Sequence, residues 1–416
     1  PIAASRLFHT PELHANFGIS AGGETLQLSD PSGTLLDQAA PISLLRDVSY
    51  GRSPSNTNVW YYYDFDLATP GYANSATGYG EVLSAPTFSV EGGFYTSSVS
   101  VSVSAADSNA VIRYTLDGTE PTSSSAVYTG PITMNRRTGQ ANQYANIQTS
   151  TGDATYEENW VAPGEVYKLN VLRARVFKSN AMPSVTTSKS YLVDPAGTGR
   201  YSMPVISITT APSNLFSSST GIYVPGNDVN YNHTGRAWER RGNIEFYEDD
   251  GSLAFNADVG IRIHGNLSRR HPRKSLRIYA RKPSGDNQFD YQLFPDKDVS
   301  VFETFILRNG GNDWAQSILR DSLMSTLIAH TGVDRQATRP AVVFLDGEYW
   351  GIHDIRDRFD EGYYLHHYGL EELEYTQLDI HYHNADWIHL PIYDTGNPSS
   401  AMTNDFLDIL NRAENN

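Results

Sequence analysis

Short runs in which apolar and polar residues alternate, broken by Gly, Pro, Asn and Asp, dominate the chain as far as Pro204. A period of two places every second side chain on one face, so these runs predict strands with one covered face. Glu24-Thr25-Leu26-Gln27-Leu28, the turn residues Asp30-Pro31-Ser32-Gly33 and then Thr34-Leu35-Leu36-Asp37 predict a hairpin. Ser97 to Ala105 alternates, Val111 to Thr115 runs into the turn pair Asp117-Gly118, and Val171 to Phe177 alternates again. Proline-containing joints near Ala68 to Gly80 and Asp194 to Pro204 are the expected domain boundaries. The stretch 136–164 is polar and weakly patterned, which predicts a long surface insertion.

Beyond Pro204 the pattern becomes mixed. Strand runs occur at Val205 to Ile208, Ile244 to Tyr247, Val259 to His264, Lys274 to Tyr279 and Thr304 to Leu307. Ile318, Leu319, Ser322, Leu323, Leu327 and Ile328 then fall on a period of 3.6 and predict an amphipathic helix stopped by Gly332. A last hairpin is expected from Ala341 to Leu345, the turn Asp346-Gly347, and Tyr349 to Ile352.

With 416 residues the chain is too long for one ordinary core, so several domains are expected. No run approaches a membrane-spanning length and no basic-then-apolar leader opens the chain at Pro1, which reads as a non-spanning, already processed protein. There is no cysteine, which excludes disulfides, thiolate metal sites and cysteine nucleophiles. A cysteine-free acidic chain rich in Ser, Thr, Asn, Gly and Tyr suits an exported bacterial surface protein, extracellular or on the cell surface.

Charge sharpens one region. Between Val259 and Gly285 stand eight Lys or Arg residues and no acid, in a chain of formal net charge -16. Within Arg273-Lys274-Ser275-Leu276-Arg277-Ile278-Tyr279, Lys274 shares its face with Leu276 and Ile278, while Arg273, Arg277 and Arg281 face the other way. A lysine on the covered face requires an anionic partner, a phosphate or a carboxylate. The alternative is a solvated basic edge strand whose lysine snorkels. Nucleic acid is a poor fit, since a chain with pI near 5.1 repels it elsewhere.

Three stretches carry resemblances. Residues about 10 to 75, with GETLQLSDPSGTLLD, SYGRSP and Trp60, resemble a lamin-tail domain, giving a first β-sandwich at 1–78. Residues about 84 to 194, with FYTSSVSVSVS, IRYTLDGTEPT, YTGPI and VLRARVFKSNAMPSV, resemble the C-terminal sandwich module of chitobiases, at 82–195 with its insertion at 136–164. Residues about 201 to 416, with PVISITTAPSNLF, GIRIHGNLSRRHPRKSLRI, LRNGGNDW and FLDGEYWGIHDIRDRFD, resemble the CotH family of spore-coat and cell-surface proteins. The fold class implied is two immunoglobulin-like β-sandwiches followed by an α+β kinase-like domain, mainly its small lobe.

That last resemblance implies an atypical kinase that uses ATP and Mg²⁺ or Mn²⁺ to phosphorylate Ser on secreted or coat proteins. Lys274 would then hold the ATP phosphates, aided by Arg273, Arg270, Arg269 and the turn at Asn266. Asp357, at the end of Gly351-Ile352-His353-Asp354-Ile355-Arg356-Asp357, would be the lysine's partner, although the family pattern has Tyr where His353 stands and Glu where Asp357 stands. Nothing from Glu361 to Asn416 reads as the catalytic or metal-binding Asp, so the chain either stops short of them or uses the fold without the chemistry. The rival is a non-catalytic structural or adhesive protein that binds protein or glycan partners, or self-assembles, through its sandwiches. Two further patterns are weaker. His381 and His383 share a strand face and could hold a metal, and Gly18-Ile19-Ser20-Ala21-Gly22 matches a hydrolase elbow but precedes a strand rather than a helix. Trp60 with Tyr61, Tyr62 and Tyr63 is expected to fill and line the first sandwich rather than stack on sugars.

Overall fold

The structure, a computed structural model, describes residues 19–20, 22–43, 48–64, 69, 72–74, 78–152, 160–281 and 287–370, with the backbone of 381–382 and 388–389. Beyond residue 204 the expected mixed α and β lobe is dominated by a closed barrel of seven strands. These are β1 (Val205–Thr209), β2 (Arg240–Tyr247), β3 (Leu253–His264), β4 (Ser275–Ala280), β5 (Thr304–Arg308), β6 (Thr338–Leu345) and β7 (Glu348–Arg356). Neighbours run β1-β2-β3-β4-β5-β7-β6, and β6 returns to pair in parallel with β1, Val205 opposite Val342 and Ile208 opposite Leu345. Closure removes both sheet edges, so the basic strand β4 is no edge strand. The inward positions Ile206, Ile244, Ile261, Ile263, Leu276, Ile278, Phe305, Leu307 and Ile355 form one buried core.

Among the described residues helices are few and short in this part: α1 (Pro212–Phe216), α2 (Arg320–Leu327) and α3 (Glu361–Tyr368). The predicted helix is present as α2, and Gly332 follows a short 3₁₀ turn at φ +74°. Its apolar stripe is not buried as the period suggested: Leu319, Leu323 and Leu327 are each more than half exposed. Arg356, buried at the end of β7, instead ties the helix to the barrel through Asp321 and Ser325.

The 82–195 region forms a sandwich-type unit. A five-stranded sheet orders 126–127, 111–115, 170–177, 187–193 and 93–95, and short pairs at 99–101 with 132–134 and 87–88 with 103–104 cover it. The alternating run at 97–105 is thus two strands that serve different partners. Phe88, Val101, Val103, Met134, Leu172, Ala174 and Tyr191 fill the space between. Ahead of it the expected hairpin forms at Leu26–Ser29 and Leu35–Ala39, with Asp30 Oδ1 accepting the Ser32 and Thr34 amides. A second hairpin pairs Val48–Arg52 with Trp60–Asp64. There Tyr63 is the buried aromatic, while Trp60 lies half-buried on the sheet face, stacked on Tyr50 and under Arg52, rather than filling a core.

Sandwich and barrel are fastened by polar groups as well as by the shared cluster Leu169, Val171, Leu192, Val205, Tyr247, Val342 and Phe344. The described part of the 136–164 stretch, 136–152 and 160–164, makes specific contacts with the barrel. Buried Glu348 of β7 accepts the successive amides of Gln143, Tyr144 and Ala145 at 2.6, 3.0 and 2.8 Å. Thr149 donates its hydroxyl to the Pro272 carbonyl at 2.6 Å. At the other turn, Gly118 approaches so closely that a β-carbon there would lie 2.6 Å from the Thr210 carbonyl oxygen and 2.8 Å from Asp346.

Two outcomes test this junction. Glu348→Ala strands three amides together and should cost about 3 kcal/mol, seen as a clear fall in Tm, with Glu348→Gln losing less. Glu245 is buried against Ser190 and Tyr247 at the same junction, and burial pushes its carboxyl up to about 7. Below about pH 4.5 the group is protonated in both folded and unfolded chains, and between there and pH 7 only the unfolded chain ionises. Stability should therefore fall as pH rises through that window, and Glu245→Gln should flatten the slope in a thermal melt series.

Candidate functional site

Closure gives β4 an inner and an outer face, and the basic run divides between them. Lys274, immediately before β4, is 0% exposed and points inward with Leu276 and Ile278, as the alternation predicted. Its Nζ donates to the carbonyls of Arg269 at 2.7 Å and His271 at 2.9 Å and lies 3.8 Å from the Tyr231 ring centre. Two carbonyl dipoles and an aromatic face thus take up part of the role for which an anion was expected. Tyr223 fixes the same spot, its hydroxyl oxygen accepting from the Lys274 amide at 2.7 Å and from Trp350 Nε1 at 2.8 Å.

Strand register decides what stands beside this lysine. Leu276 pairs with Leu307, and Leu307 with Ile355, so two residues further Lys274 aligns with Asn309 and His353. His353 Nε2 lies 3.3 Å from the Lys274 carbonyl oxygen, and burial pushes the imidazole down to about 4, so it is neutral. Asp357 is four residues along, about 13 Å at strand rise, and its carboxylate sits 2.9 Å from His367 Nε2. The structure brings His353 to Lys274 and does not bring Asp357 there.

The other sequence candidates scatter around the loop before β4. Arg273 is clamped between Trp350 and Trp160, at 4.0 and 4.7 Å from the ring centres, and burial pushes its guanidinium down to about 10. Asn266 is exposed at the turn, where its carbonyl accepts the Arg269 amide. Arg270 follows in the same 3₁₀ turn, half-buried. Arg269 reaches outward over the barrel, where its guanidinium donates to the carbonyls of Gly265, Tyr231 and His233.

There it lines a cavity of about 130 Å³ with Arg262, Arg277 and Arg358, with His233, Trp238, His264 and Tyr279, and with Thr234 and Gly235. Glu239 pairs with Arg262 and also with Arg281, and Asp360 pairs with Arg277 and Arg358. Burial, then the surrounding arginines, push His264 down to about 3, so the ring adds no charge. Arg277 was legible as an outward position of an alternating strand; Arg262 and Arg358, the latter two residues past the end of β7, are brought to it by the fold.

Residues 261–406, which take in the end of β3 and all of β4 to β7, match the family model described as CotH kinase protein. This chain carries a CotH domain. Residues 90–157 match the model of the chitobiase/beta-hexosaminidase C-terminal domain, which covers most of the sandwich-type unit. A stretch of 75 residues is 44% identical to a protein named endoglucanase from Clostridium saccharobutylicum, spanning 17% of this chain and 16% of that protein. The chain thus covers about one sixth of that relative. Of the metal candidates in the CotH domain, His383 and the side chain of His381 lie outside the described residues, and no group of three or more His, Asp or Glu is arranged for a metal among the described ones. Gly18 of the elbow-like motif is likewise outside them, and no described helix is long and apolar enough to cross a membrane.

Because its ammonium is held inside the barrel, Lys274 should be a stabilising residue before it is anything else. Lys274→Met strands two buried carbonyls and should lower stability by about 2–3 kcal/mol with no nucleotide present, measured by chemical or thermal unfolding.

Proposed function

We propose that this protein is a CotH-type surface or spore-coat phosphotransferase, using ATP and a divalent metal to phosphorylate Ser side chains of exported proteins. The observation that carries this reading is the CotH match lying over the barrel that presents Lys274. In this reading the sandwich modules space or dock the domain, and Lys274 holds the phosphates of ATP. To do so its ammonium must leave the carbonyls of Arg269 and His271, so nucleotide binding would be coupled to movement of the 265–273 loop.

A second reading, a non-catalytic structural or adhesive surface protein, has a specific observation in its favour. The Lys274 ammonium is already committed to an internal cap of the Arg269 and His271 carbonyls.

One experiment separates the two. Full-length protein is titrated with ATP and Mg²⁺ or Mn²⁺, following the melting temperature and phosphate incorporation into protein, beside Lys274→Met. The kinase reading expects a metal-dependent rise in Tm of a few degrees with incorporation, both lost in the variant. No shift and no incorporation in the parent protein would leave the structural reading.

A further inference from the structure

The arginine-lined cavity lies on the opposite face of β4 from Lys274, so it belongs to a different place from any nucleotide site built on that lysine. We propose that it is a binding site for a tetrahedral oxyanion, a phosphate monoester group or free phosphate. Three observations converge on it.

The first is charge. Four guanidinium groups line the cavity, from Arg262, Arg269, Arg277 and Arg358, and the carboxylates paired with them are those of Glu239 and Asp360. Among the described residues the four lining guanidiniums exceed these two carboxylates by about two charges, Arg281's share of Glu239 only adds to that excess, and His264 is neutral. A phosphate monoester carries about -1.5 to -2 at neutral pH, which matches that excess better than one carboxylate does.

The second is geometry. Arginine forks suit phosphate oxygens, and these forks are held before a ligand arrives. The guanidinium carbon of Arg262 lies 4.4 Å from the Tyr279 ring centre and that of Arg277 4.6 Å from the same centre, and Arg269 is tethered by carbonyls. Arg358 Nε is buried and makes no hydrogen bond, its nearest acid oxygen being 3.4 Å away on Asp360. An oxyanion in the cavity would give that donor an acceptor.

The third is size. About 130 Å³ is the room of a few waters or one phosphate group, well below the roughly 300 Å³ at which drug-sized ligand pockets begin. Trp238, stacked on His233 with ring centres 4.2 Å apart, walls one side. The cavity therefore selects the anionic head and not a nucleoside.

Isothermal titration and thermal shift on the full chain would test this with inorganic phosphate, phosphoserine and unphosphorylated serine, at matched ionic strength in chloride. Saturable phosphate binding is expected, with serine inert. Arg358→Gln should weaken binding at least tenfold while melting normally in chloride, and Arg262→Gln serves if that variant does not fold. Lys274→Met should keep phosphate binding, which separates this site from the nucleotide reading. Tighter binding of phosphoserine than of free phosphate would identify a protein-borne group as the source, and the reverse would identify the free anion. Heat and stabilisation no greater than in chloride, or binding unchanged in the arginine variants, would overturn the proposal.

Discussion

The parallel pairing of Val205–Thr209 with Thr338–Leu345 joins two strands more than a hundred residues apart and closes the barrel, and the chemistry of the basic run depends on that closure. An open sheet would leave both faces of β4 partly wet, and the basic residues would be equivalent. Closure instead seals Lys274 in with the core, where an ammonium survives only with dipoles or charge around it. It also turns Arg262 and Arg277 to the outside, where the loop before β4 and the residues after β7 bring Arg269 and Arg358 to meet them.

The sandwich takes part in this arrangement. Its 136–164 stretch hangs three amides on Glu348 and rests Thr149 on the carbonyl of Pro272, inside the loop that carries Arg269 to Arg273. Trp160, within the same polar stretch, forms one side of the Arg273 clamp. The loop that caps Lys274 is therefore held from the neighbouring module as well as from the barrel, which makes its mobility a property of both. Any nucleotide reading that asks the loop to move asks that junction to yield.

How much of this the residues announced depends on the range of the interaction. The inward lysine and outward arginines were legible because alternation is local, and the turns at Asp30, Asp117-Gly118 and Asp346-Gly347 were legible because their residue types set their own backbone. The cap on Lys274 was not, since main-chain carbonyls leave no mark on residue identity. Its neighbour was misjudged for a related reason: spacing within 351–357 does not reveal stagger, and stagger puts His353 rather than Asp357 alongside. The α2 period was real, but a helical period says that a face exists and not that something covers it. The bonds that fasten 136–152 to the barrel come chiefly from main-chain amides, which polarity does not announce.

Chemical accessibility of Lys274 tests the central claim most directly. Full-length protein would be treated with an amine-reactive reagent under native conditions without nucleotide, and the extent of labelling read by peptide mass spectrometry with the half-buried Lys297 as internal reference. Lys274 held by the carbonyls of Arg269 and His271 should remain unlabelled until the protein unfolds, while Lys297 reacts. Labelling of Lys274 as fast as Lys297 would contradict the account, since it would place the ammonium in an open cleft instead of inside the barrel.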